Sequence, residues 1–323
     1  MNVLAAACRV LAVTSLAGAL VACGPERIPA PTTPAPRLKG PNDAMPADLD
    51  VVVRVDLGQI RRTLGAEALD ALRTRVRPDG SSRDPAAERL LSDAMARADV
   101  VVIGLRPGGR SGLTDNVIAL TGDFEDLSIE RYDTTPPFDT EADLGAAFRV
   151  YERDKPLDRS LPARIYSHAG RLLVFVSFAE IDSVERRIEG GASDAVLKPS
   201  ARGVISVAAR PAPIAVKIAE RSPMAAQLLG RGKVLRGHLE LSATGLSSEI
   251  ELEFEFAEDA RRAADAAALI GRLLGKKPGL MGEIARALTV EAVETSVVVR
   301  LLLDGAELAH VLVCARDETK CAS

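Results

Sequence analysis

Tryptophan is absent from the 323 residues, and three tyrosines and seven phenylalanines make up the whole aromatic complement. Platforms for stacking bases or sugars are therefore scarce. Histidine occurs at 168, 238 and 310, never in H-x-x-x-H or H-E-x-x-H spacing and never beside a cysteine, so no metal site and no cofactor are indicated. An excess of one charge is also missing. The 41 basic and 45 acidic residues give a net charge of −4 and are spread along the chain, leaving no basic face to hold phosphates. Nucleic acid is not an expected partner. What is present is 47% hydrophobic and 27% charged sequence, the balance of a folded core, which alanine, valine and leucine must build.

Past the single charge of Arg9, the apolar run Val10 to Ala22 holds thirteen residues. A membrane-crossing helix needs about 20, so this run suits the hydrophobic region of a signal peptide. It ends Leu20-Val21-Ala22-Cys23 and is followed by Gly24. These residues resemble the lipobox of a bacterial lipoprotein precursor. The resemblance implies cleavage between Ala22 and Cys23, a diacylglycerol on the Cys23 sulfur, and an acyl chain, such as palmitate, on the new amino group. The alternative is a plain secretory signal cut after Ala22. Under the sorting rules of many lipoproteins, Gly24 in place of Asp implies the outer membrane, facing the periplasm.

From Gly24 through Pro46 there are seven prolines, a segment that prefers extended conformations and buries no core. The expected organisation is a signal peptide over 1–22, a lipid-anchored proline-rich linker over 23–47, and two α+β domains or halves over 48–192 and 200–323. Leu49 to Val55 reads as a strand, Leu57 to Val76 as a helix, and Asp84-Pro85-Ala86-Ala87-Glu88 as a capped helix start running to about Ala98. Asp99 to Leu105 and Asn116 to Gly122 read as a hairpin. Further strands are expected at Phe148 to Tyr151, Ala163 to Ser167 and Arg171 to Phe178, with a helix over Ala179 to Glu189. In the second half, strands at Gly203 to Ala209, Lys233 to Ser242, Leu246 to Phe256, Val290 to Ala292 and Thr295 to Leu303 alternate with helices at Ile214 to Leu229, Glu258 to Leu274, Leu280 to Leu288 and Asp304 to Val313. Hairpins with helices between them imply antiparallel sheets with helices packed on one face, and the repeated order suggests two similar halves.

The loop Arg106 to Gly112 is glycine-rich but lacks the Gly-Lys-[Ser/Thr] and the helix of a phosphate loop, so it reads as a hairpin tip. Ser167-His168 falls in an expected turn without a G-x-S-x-G elbow. Asp182, Glu185 and Glu189 lie at helical spacing beside Arg186 and Arg187, the pattern of a solvent-exposed helix. Glu249 to Phe256 alternates glutamate with apolar residues, opposite a strand offering Arg236, His238 and Glu240. Carboxylates two residues apart on a strand stand about 7 Å apart, too far for one ion, so a solvated face is the better reading.

With Cys8 in the signal and Cys23 lipidated, Cys314 and Cys321 remain, and an oxidising compartment predicts a disulfide between them. The expected function is non-catalytic binding or scaffolding of another envelope component by a membrane-anchored lipoprotein. The alternative is a carrier of an apolar ligand such as lipid in a sheet–helix cavity.

Overall fold

The computed structural model describes residues 38, 40–65, 84–107, 115–144, 148–154, 156, 161–190, 197–220, 223–242, 244–277 and 279–308. The expected signal peptide with Ala22, Cys23 and most of the expected linker lie outside the described residues, as do His310, Cys314 and Cys321.

The strands are β1 (Val51–Asp56), β2 (Ala98–Arg106), β3 (Asp115–Gly122), β4 (Asp139–Leu144), β5 (Phe148–Glu152), β6 (Pro162–His168), β7 (Leu172–Ser177), β8 (Ile205–Ala209), β9 (Val234–Ser242), β10 (Gly245–Glu253), β11 (Leu288–Val293) and β12 (Ser296–Asp304). All join one antiparallel sheet in the order β11-β12-β10-β9-β8-β1-β2-β3-β7-β6-β5-β4. The helices are α1 (Leu57–Leu64), α2 (Pro85–Arg97), α3 (Ile181–Ile188), α4 (Pro211–Ile218), α5 (Pro223–Gly230), α6 (Ala257–Gly275) and α7 (Leu280–Ala287). The chain is thus α+β.

A repeat is visible in the strand order. Reading outward from the middle, the first half runs β1-β2-β3-β7-β6 and the second β8-β9-β10-β12-β11. The two first strands meet antiparallel, Val53 opposite Val207, so the halves are related by an approximate two-fold axis normal to the sheet. The strands β4 and β5 extend the first half beyond that common plan.

One face of the sheet carries Val101, Leu120, Phe175 and Ile165, which pack against α1 and α2 through Leu57, Ile60, Leu90 and Ala94. In the second half α6 covers the same face: Ala260, Ala263 and Ala264 pack with Phe254 and Val297. The opposite face is covered in the first half, where Val52, Val102, Val174 and Val176 meet Met45, Leu49 and the α3 residues Ile181, Val184 and Ile188. Burying each such side chain contributes about 1.5–3 kcal/mol. The helix α3 is therefore half-buried, not the exposed helix its charges suggest: Glu185 reaches Arg164 on β6, and Arg187 donates to the Asp43 carbonyl (3.2 Å). Gly104 on β2 makes this closure possible, because a Cβ there would lie 2.4 Å from Leu49 Cδ1 and 2.9 Å from Met45 Sδ.

Several elements differ from the sequence reading. The expected helix 214–229 is two, because Pro223 lacks an N–H and starts a new first turn. The strand β10 stops at Glu253; Phe254 is buried beneath α6, while Phe256 occupies that helix's N-cap position and is exposed. His168 ends β6, its ring stacked on Phe148 at 4.8 Å between centroids, and the turn follows it. The strand β4 had no expectation, since Asp-Thr-Glu-Ala-Asp-Leu shows no β-branched run.

All three phenols sit above their ordinary value of 10.0. Burial raises Tyr166 and Tyr151; burial, then the hydrogen bond from Tyr132 to Asp93 Oδ2 (2.6 Å), pushes Tyr132 up to about 12. A raised phenol favours the neutral form in the folded chain. The stability it contributes is complete below the unfolded value and disappears as pH rises through the folded one. In an alkaline titration the phenolate absorbance, uncomplicated by tryptophan, is expected to stay low past pH ~10 and then rise together with loss of circular dichroism. Three phenols ionising near pH ~10 in an intact fold contradict this.

Candidate functional site

The second half holds two surface depressions, one on each side of the sheet. The first is a groove of about 310 Å³ between α5 and α6. Met224, Gln227, Leu228 and Arg231 reach it at spacings of three and four, and Asp259, Arg262, Ala263 and Ala266 face them from α6 at the same spacings. Phe254 forms its floor. The local sequences explain it: α5 reads Pro-Met-Ala-Ala-Gln-Leu-Leu-Gly, apolar almost throughout, yet none of its residues is buried. Alanines at 263 and 266 leave the facing helix without side chains long enough to fill the gap. At the mouth Arg231 Nη1 pairs with Asp259 Oδ1 at 3.1 Å, and Arg262 pairs with Glu258. The apolar surface continues outside the groove through Leu269 and Leu273, 48% and 54% exposed.

The second depression, about 210 Å³, opens on the opposite face and is lined by Lys198, Ser200, Arg236, His238, Glu249 and Glu251. The register places the expected residues together: Glu251 faces Arg236, Glu249 faces His238 and Ser247 faces Glu240 across β10 and β9. Each carboxylate already has a partner. Arg300 Nε donates to Glu249 Oε2 (2.8 Å) and its Nη1 to Glu291 Oε2 (2.7 Å); Arg236 pairs with Glu253 at 3.2 Å, and Ser296 Oγ donates to Glu251 Oε1 (2.7 Å). The Arg202 guanidinium lowers the pKa of Glu240 below the ordinary carboxylate range, ahead of the smaller influence of His238. Among the described residues no group of three His, Cys, Asp or Glu is placed to hold a metal ion. The face reads as a lattice of surface ion pairs.

The expected lipidation site Cys23, the expected cleavage residue Ala22 and the expected disulfide Cys314–Cys321 fall outside the described residues, as does most of the glycine-rich loop, 108–114. Sequence reasoning found the Asp84 N-cap, whose Oδ1 accepts from the Ala87 N–H at 3.0 Å, but missed its partner. Arg153 Nη1 donates to Asp84 Oδ2 at 2.5 Å and its Nε to the Pro162 carbonyl at 2.7 Å, while its guanidinium lies 4.7 Å from the centre of the Phe138 ring. Both side chains are essentially sealed from solvent, and burial lowers the Arg153 pKa against the pull of Asp84. Nothing local in Tyr-Glu-Arg-Asp signals that pairing. The groove had a signal, alanines at helical spacing opposite an apolar helix, but its depth depends on how α5 stands off the sheet.

No protein-family profile matches the chain, and no curated protein matches it. It is similar to three solved structures of TP0453. Crystal form I has 12% identity and a TM-score of 0.47, covering 85% of this chain and 97% of that one. Crystal form III has 10% identity and a TM-score of 0.47, covering 84% and 97%. Crystal form IV has 10% identity and a TM-score of 0.45, covering 84% and 96%.

Proposed function

We propose that this protein is a lipid-anchored, non-catalytic binding protein of the cell envelope that takes an apolar group, the size of one acyl chain, in the groove between α5 and α6. The observation that carries this reading is α5 itself, an apolar helix with no buried residue beside a groove lined by Met224, Leu228, Phe254, Ala263 and Ala266. Exposed apolar surface of this kind is costly unless something covers it. The groove volume, about 310 Å³, sits at the lower end of the ~300–1,000 Å³ range of small-molecule sites, which suits one chain rather than two. Arg231 and Arg262 at its mouth are already paired with Asp259 and Glu258, so the apolar lining and not a head-group charge carries the reading. Anchoring through acylated Cys23 and the proline-rich linker would keep the groove within reach of a membrane, on the periplasmic side of the outer membrane.

A fluorescent long-chain fatty acid is expected to bind the protein and to be displaced by unlabelled fatty acid. Ala266→Phe, which fills the groove from a half-buried helix position, is expected to weaken binding at least about tenfold, or ~1.4 kcal/mol, with unchanged circular dichroism. Binding that survives the filled groove overturns the site. No binding by the unmodified protein overturns the acyl-chain reading and leaves the scaffolding role as the function to pursue.

A further inference from the structure

The sheet has two outer edges, and they are built differently. The strand β4 ends one side with Asp-Thr-Glu-Ala-Asp-Leu, rich in carboxylates, and its register with β5 breaks between Glu141 and Leu144. Charge and a broken register are common protections of a free edge. The strand β11 ends the other side without them. Leu-Thr-Val-Glu-Ala-Val carries a single charge and no proline, pairs with β12 without a break from Leu288 to Val293, and none of its residues is buried. Thr289, Glu291, Ala292 and Val293 are exposed. The helix α7 runs directly into β11 but is tied back to the end of α6, where Arg286 Nη1 donates to the Gly275 carbonyl at 2.8 Å. Among the described residues no strand pairs with the outer edge of β11.

Which backbone groups of β11 face outward follows from its neighbour. The Phe254 N–H donates to the Thr295 carbonyl at 2.8 Å, so Thr295 turns its groups toward the β10 side and Ser296 turns its own toward β11. Ser296 lies opposite Val293. Val293, Glu291 and Thr289 therefore bond to β12, while Val290 and Ala292 hold their N–H and C=O outward, together with the Leu288 carbonyl. That row is self-complementary. With a second copy antiparallel and Val290 at the centre, the two Val290 residues exchange both N–H···O=C bonds, and each Ala292 N–H meets a Leu288 carbonyl. The side chains agree with the backbone. On the α6 side, where Val290 packs with Phe254 and Ala260, Val290 meets Val290 and Leu288 meets Ala292. On the other side Thr289 stands opposite Glu291, a hydroxyl donor against a carboxylate, and Glu291 keeps its bond from Arg300 (2.7 Å), because pairing extends the edge and leaves the face open. The neighbouring register that also satisfies the backbone is centred on Glu291. It sets two glutamates directly opposite each other, which charge repulsion disfavours.

We propose that two copies of this chain join edge to edge through β11, antiparallel and centred on Val290, so that one sheet continues across both. The junction is a two-fold contact in which each copy supplies the same residues. It concerns the sheet edge and stands independently of the ligand assigned to the α5–α6 groove.

Photo-crosslinking of the full chain in cells tests it. A benzophenone amino acid in place of Val293 is expected to give, on irradiation, a product of twice the monomer mass whose linked peptides map to residues 287–293 of a second copy; the same amino acid in place of Asp139, on the protected edge, should not. Val290→Pro removes an outward N–H that the junction uses and none that β12 uses, and should lower the yield of that product at least about tenfold. Thr289→Glu, at an exposed position, sets like charges opposite each other and should lower it similarly, whereas Thr289→Lys, opposite Glu291, should preserve it. Circular dichroism of the purified variants reports that each is folded. A cross-link to a different protein, or to another segment of the same copy, overturns the proposal, as does the absence of any product. A dimer product that survives both Val290→Pro and Thr289→Glu overturns it too, and equal losses for Thr289→Glu and Thr289→Lys overturn the register.

Discussion

Replacing Asp84 with alanine is expected to destabilise the protein by about 4 kcal/mol, read as a shift of the urea midpoint at unchanged slope. Two losses combine. The first turn of α2 loses the acceptor for the Ala87 N–H, typically worth about 1 kcal/mol, and Arg153 is left charged in a buried site. The second dominates, because the guanidinium keeps its charge at any workable pH and its Nη2 has no hydrogen-bond partner among the described residues even before the substitution. The double variant Asp84→Ala/Arg153→Met should recover most of the loss beyond the cap, since an apolar side chain in the same volume removes the stranded charge. Glu258→Ala, which breaks the exposed pair with Arg262, is the control and should cost under about 0.5 kcal/mol. A loss below ~1 kcal/mol for Asp84→Ala, or no recovery in the double variant, refutes this account.

Replacement of Cys23 by serine is expected to move the protein from the membrane fraction to the soluble fraction. Each buried methylene contributes about 0.8 kcal/mol, so the two or three acyl chains proposed for Cys23 would contribute far more membrane binding than any surface substitution in the folded part could remove. No described helix is long and apolar enough to cross a membrane in compensation. Cell fractionation with metabolic labelling by a fatty-acid analogue reads both attachment and modification. If Cys23→Ser still sediments with membranes and still carries label, the anchor lies elsewhere.

What the sequence made legible was local. Period-two alternation located β10, because glutamates and apolar residues fall on opposite faces of a pleated strand, and Asp84-Pro85 marked the start of α2 through its capping chemistry. The same alternation misled beyond Glu253, where Phe254 turns under α6 to close its core and Phe256 becomes an N-cap residue. Composition misled at α5, whose apolar residues predict burial that the fold does not provide. Long-range pairings were not legible. Arg153 meets Asp84 across 69 positions of sequence because β5 and the start of α2 converge, and no spacing rule encodes that meeting. The halves could be suggested from the order of elements, but their junction along β1 and β8 is a property of the assembled sheet.

That junction governs the order in which the chain can be completed. The strand β1 is made early and pairs with β2 within the first half, but its other edge waits for β8, with Val53 meeting Val207. In a chain synthesised from the N-terminus, the strand destined for the centre of the sheet is therefore an open, valine-rich edge until residues 205–209 arrive, the kind of surface that invites pairing with another chain. Such non-local pairing also slows folding, since loop closure must precede the contacts that reward it. A newly made copy halted before residue 205 should aggregate through β1, whereas one extending past β10 has that edge sealed.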